Sequence, residues 1–99
     1  MHIIDKARWH IDGGISEEEV IQHFVIVFEW LNSKGMLSSI GKEELEDGID
    51  DYASLNERAV TPEALKFLDA KYDEYLAHID ETGEMSAAAL DKLYDEYSK

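Results

Sequence analysis

Ser16-Glu17-Glu18-Glu19-Val20-Ile21-Gln22-His23-Phe24-Val25-Ile26-Val27-Phe28-Glu29-Trp30-Leu31 is the stretch on which the fold turns. Its Val and Ile content would suit a strand, yet its flanks argue for a helix. Ser16 can cap the helix, and Glu19, three residues on, stands where a capping box needs its acid. Ile15 and Val20 occupy the two positions of a hydrophobic staple across that cap. Gly35 offers the residue type that ends helices, and Lys34 suits the negative C-terminal end. The enclosed span, residues 16–34, is too long for an ordinary strand. From Phe24 to Leu31 apolar side chains go almost all the way round, so this helix should lie in the middle of the molecule.

Outward from it, residues 1–14 mix apolar and polar types and end in Gly13-Gly14, which reads as an irregular arm or short helix followed by a turn. From Lys42 to Leu55, Leu45, Ile49, Tyr52 and Ala53 recur at helical spacing, with Gly48 as a weak point inside. Thr61-Pro62-Glu63 is a helix restart, with a capping threonine and proline at the first helical position. Leu65, Leu68, Tyr72, Tyr75, Leu76 and Ile79 then form a stripe; Glu81 to Met85 make a turn, and Ser86 caps a last helix with Leu90, Leu93, Tyr94 and Tyr97. No alternating run of strand length stands out. The expectation is an all-α fold: a single domain over residues 1–99, a bundle of four helices, or five if the N-terminal segment adds one. Within it, Leu68-Asp69 followed by Tyr72-Asp73-Glu74-Tyr75 recurs as Leu90-Asp91 followed by Tyr94-Asp95-Glu96-Tyr97. Two copies are too few for a solenoid, and shared amphipathicity is enough to explain them.

Composition narrows the function classes. An apolar fraction of 44% suits a folded chain despite 23 acidic residues against 9 basic ones, a net charge of −14. The charge is uneven: residues 1–42 hold six acids and four bases, whereas residues 43–99 hold seventeen acids and five bases. Such a field repels nucleic acid and anionic lipid and favours a basic protein partner. The absence of cysteine rules out disulfides and thiolate metal sites. No signal peptide and no bilayer-length apolar segment is evident, so the expected location is the cytoplasm.

Asp5, Ala7, Trp9 and His10, followed by His23, Trp30, Gly35, Leu37 and Ser38, make a pattern that resembles a family of small bacterial proteins identified only as a domain of unknown function. Its marks are Asp-x-Ala-x-Trp-His near the start, then His and Trp seven apart on a helix that ends in Gly. The likeness covers about the first forty residues, and the acidic, tyrosine-rich remainder is similar only in flavour. Gly13-Gly14 stands where members carry a longer proline-containing loop, which alters the surface near Trp9. Proteins of this kind resemble immunity proteins of bacterial toxin systems, and that resemblance implies a binding role.

Physically, a spacing of seven puts His23 and Trp30 on one helix face, over which Trp9 and His10 could fold back. The structural expectation is that Trp9 and Trp30 are core and that the histidines bond to carbonyls. The functional alternative is a small polar pocket or metal site from His10, His23 and Asp12; no His-x-x-x-His spacing supports a metal, so none is expected. Glu43, Glu44, Glu46, Asp47, Asp50 and Asp51 put six carboxylates into nine residues. They are either a solvated face or a landing site for a basic partner, and they lack the alternation and glycine of a calcium loop. The five tyrosines, Tyr52, Tyr72, Tyr75, Tyr94 and Tyr97, sit beside acids and suit either core packing or binding hot spots. Tyr75 and Tyr97 are the expected surface pair.

No phosphate loop and no nucleophile motif is present, so no enzyme and no cofactor is expected. The leading expectation is an immunity-type protein that occludes a basic, cytosol-acting toxin domain. Steering would fall to the acids from Glu43 to Asp51 and from Asp69 to Glu74, Asp73 among them, followed by docking of the tyrosines Tyr72, Tyr75 and Tyr97. The alternatives are an adaptor or self-associating structural protein unrelated to toxins, and a ligand or metal pocket at the cluster of Trp9, His10, His23 and Trp30.

Overall fold

The computed structural model describes residues 1–99. Helix caps read from the sequence set most element boundaries. Ser16 accepts a bond from Glu19 N–H and starts the central helix, α2 (Glu17–Ser33); Gly35 follows its end with φ 71°. Thr61 accepts from Ala64 N–H ahead of α4 (Pro62–Thr82), which stops at Gly83 in the left-handed conformation. Ser86 accepts from Ala89 N–H ahead of α5 (Ala87–Tyr97). Each cap satisfies an otherwise orphaned donor and stabilises its helix by about 1 kcal/mol.

The molecule is predominantly helical but not all-α. A two-stranded antiparallel sheet joins β1 (Ile3–Lys6) to β2 (Ser54–Asn56), and the six-residue α1 (Ala7–Asp12) follows β1 directly. These strands escape a pattern reading because they are only four and three residues long, with a register irregularity between Ile3 and Asp5. What holds them is pairing across half the chain, which local periodicity does not encode. The expected helix from Lys42 to Leu55 is corrected as well. The observed α3 (Ser39–Asp47) starts earlier, capped by Ser38, and ends at Gly48 with φ 103°. Ile49, Tyr52 and Ala53 therefore lie outside any helix. Gly41 is needed where it stands, since a Cβ there would sit 2.1 Å from the Ala59 carbonyl oxygen.

The core is one cluster of nineteen buried residues. It gathers Phe24, Phe28 and Leu31 of α2, Phe67, Leu68 and Tyr75 of α4, Leu55 of β2 and Leu90 of α5, and Trp30 of α2 packs on Phe67 of α4 at 5.5 Å between ring centroids. As expected, α2 is central: it packs on α1, α3 and α5. No helix is long and apolar enough to cross a membrane.

Candidate functional site

Two regions concentrate polar chemistry. The first begins with Asp5, which β1 carries into the core, where it is one of only two buried polar residues; the other is His23 of α2. Such a carboxylate is costly unless well bonded. Asp5 accepts from Lys6 N–H at 2.8 Å, from the Tyr72 hydroxyl at 2.5 Å and from His10 Nε2 at 2.7 and 2.8 Å. His23 Nε2 lies 2.7 Å from the Tyr72 hydroxyl, and its ring stacks on Tyr75 at 5.6 Å between centroids. Burial lowers the His23 pKa from 6.5 to about 4 despite the nearby Asp5, so the ring is neutral at ordinary pH. Burial, and then Asp5, push Tyr72 well above its usual range, so it remains a phenol.

His10 and His23 form part of the lining of a cleft of about 700 Å³ between the start of α2 and the end of α4. Val20, Leu76, Ile79 and Met85 contribute apolar surface, and Glu19 and Asp80 stand exposed. The sequence-derived pocket residues His10 and His23 thus come together, but Asp5 replaces Asp12 as their acid. Asp12 is bound instead to Arg8 at 2.7 Å, one helical turn back. No group of three or more His, Asp or Glu side chains is placed to hold a metal ion. The two tryptophans part company. Trp30 is buried and donates to Asp91 at 2.8 Å, whereas Trp9, expected in the core, is 54% exposed. Nor do the histidines bond to carbonyls; Asp5 and Tyr72 are their partners.

The second region is the acidic run. Glu44, Asp47, Asp50 and Tyr52 line a shallow depression around the end of α3. Glu43, Glu46, Asp47 and Asp50 are exposed; Glu44 and Asp51 are half-buried. Glu44 Oε2 is buried without a hydrogen-bond partner, and burial followed by repulsion from Asp50 raises its pKa. Tyr52 is 77% exposed, with the Arg8 guanidinium 5.9 Å from its ring centre and Arg8 also 3.3 Å from Asp51. The docking tyrosines expected from the sequence need correction. Tyr72 and Tyr75 are buried in the core, because their stripe on α4 faces α2; Tyr97 is only partly buried, and Asp73 and Glu74 are exposed.

Sequence reasoning gave Glu19 and Asp80 no site role, named Tyr52 only as one of five tyrosines, and met Asp5 only as the first residue of the family motif. Tyr52 could have been found from its place directly after Asp50-Asp51, and Asp5 from its apolar neighbours Ile3 and Ile4; nothing local marks Glu19 or Asp80. Comparison of the chain with family models, with curated proteins and with solved structures finds no match.

Proposed function

We propose that the protein is a binding module whose acidic face captures a basic protein partner, in the manner of an immunity protein that occludes a cognate bacterial toxin. The observation that carries this reading is the unpartnered Glu44 carboxylate oxygen in a depression it shares with Asp47, Asp50 and Tyr52. A buried acceptor without a donor costs about 1–3 kcal/mol, and a partner's arginine or lysine reaching into the depression would relieve that cost. Tyr52 supplies what an acid run alone lacks: a large, rigid and exposed contact surface with few torsions to freeze. The remaining field, with most of the net charge in residues 43–99, would steer a basic domain to this face.

The test is a search for a toxin domain encoded beside this gene and a titration with that purified domain, at low salt and at about 0.5 M salt, where charges beyond a few ångström are screened. A complex at micromolar concentration that weakens steeply with salt and loses at least ten-fold in affinity in Tyr52→Ala supports the reading. Absence of a complex at low salt, or one indifferent to Tyr52, defeats it.

A further inference from the structure

The cleft beside His10 and His23 is separate from the depression at Tyr52, and its hydrogen-bond polarity can be worked out atom by atom. Tyr72 has one hydroxyl proton, and it is directed to Asp5 Oδ2. The contact between His23 Nε2 and the same hydroxyl therefore has the imidazole as donor. His10 Nε2 faces both oxygens of the carboxylate and is protonated for the same reason. The His23 ring, kept neutral by burial, is left with Nδ1 as a bare acceptor. The other ionisable side chains on the cleft are Glu19 and Asp80, both acceptors, and no lysine or arginine lines it. His23, Glu19 and Asp80 thus offer acceptors, while Val20, Leu76, Ile79 and Met85 offer apolar surface.

We propose that this cleft binds a small organic amine, with its apolar body against Leu76 and Ile79 and its protonated nitrogen donating to the acceptors of the histidine and carboxylate lining. The volume suits a ligand of this class, since small-molecule sites typically span about 300–1,000 Å³. Anionic ligands such as phosphates and carboxylates meet no donor side chain here and face two carboxylates. The buried Asp5 charge adds to the attraction for a cation, and its bonds to Tyr72 and His10 hold the acceptors in place before a ligand arrives. This site does not depend on the protein partner proposed above.

The experiment is a titration of the full chain, followed by two-dimensional amide NMR at pH 8, where free imidazole is neutral. The probes are phenethylamine and 3-phenylpropionate, matched in shape and opposite in charge. Saturable shifts centred on His23, Leu76 and Ile79 with the amine, and none with the carboxylate, are expected. The double variant Glu19→Gln/Asp80→Asn, altered only at exposed positions, should retain its melting temperature and bind the amine roughly three- to ten-fold more weakly. No saturation by about 20 mM amine, equal binding of the carboxylate, shifts centred instead on Glu43 to Asp51, or undiminished affinity in the double variant would each overturn the proposal.

Discussion

Residues 68–75 and 90–97 spell nearly the same phrase, and the fold gives the two copies different work. Leu68 and Leu90 are alike: both are buried, one on α4 and one on α5. The aspartates that follow already differ, since Asp69 meets exposed His2 at 2.5 Å while Asp91 holds both buried Trp30 and Lys34. The tyrosines differ most. Tyr72 lies in the core and joins Asp5 to His23; Tyr94 is half-buried and donates to Glu63 at 3.1 Å. Tyr75 is fully enclosed and stacks on His23; Tyr97 leans edge-on against Phe67 at 5.5 Å with part of its surface in water. The two stripes have the same spacing, but the α4 stripe is covered by α2 and β1 and the α5 stripe lies at the rim. An amphipathic phrase specifies that one side of a helix is covered, not how deeply.

The widest gap should separate Tyr75→Ala from Tyr97→Ala. Emptying the Tyr75 position leaves a cavity in the middle of the core and should cost about 3–5 kcal/mol in chemical denaturation, a large part of the stability of a domain this size. Tyr97→Ala removes a partly solvated ring and should cost roughly 1–2 kcal/mol. Equal losses would mean that the copies are energetically equivalent and that their different burial is of little consequence.

Acid should strike the α4 copy through His23. The folded-state pKa is about 4 against 6.5 when unfolded, so between those values the unfolded chain holds a proton that the native chain lacks. Stability contributed by the neutral ring is present above about pH 6.5 and is lost as pH falls towards 4, by roughly 3 kcal/mol over the whole window. The α5 copy touches no histidine. Denaturation midpoints measured from pH 7 to pH 4 should therefore fall more steeply for the native chain than for His23→Gln, whose side chain gains no charge. Parallel slopes would remove His23 from the account of acid sensitivity.

That comparison also marks what was legible in the sequence. Helix existence was, because Ser16, Thr61 and Ser86 announce themselves through local chemistry, and each caps a helix as its spacing indicates. The central position of α2 was too, from apolar residues on all its sides. The sheet was not, since its strands exist only through pairing of residue 3 with residue 56 and their neighbours. Half of the histidine site could be read: His10 and His23 do share a cleft, but choosing Asp5 over Asp12 requires knowing that β1 runs into the core. Depth of burial, which separates Tyr75 from Tyr97 and Trp30 from Trp9, belongs to tertiary packing and leaves no trace in a helical period.

A smaller effect isolates the hydroxyls. Tyr72→Phe deprives Asp5 of a donor and His23 of an acceptor, both buried, and should cost about 2–3 kcal/mol. Tyr94→Phe, whose hydroxyl meets an exposed Glu63, should leave the denaturation midpoint unchanged within error. If both variants behave alike, the Asp5 network is not the strong point its geometry implies.

The least effect has the opposite sign. Tyr75 carries its hydroxyl into the core without a hydrogen-bond partner, and burial lifts its pKa to about 12. A hydroxyl that loses water and gains nothing is a net cost, so Tyr75→Phe should be neutral or stabilise the protein by up to about 1 kcal/mol. Tyr97→Phe should do nothing, since water can solvate what the protein leaves free. A clear loss of stability in Tyr75→Phe would show that the hydroxyl is satisfied in solution by water held beside His23. The α4 copy would then be a wet polar centre, and the contrast with α5 would be one of chemistry as well as depth.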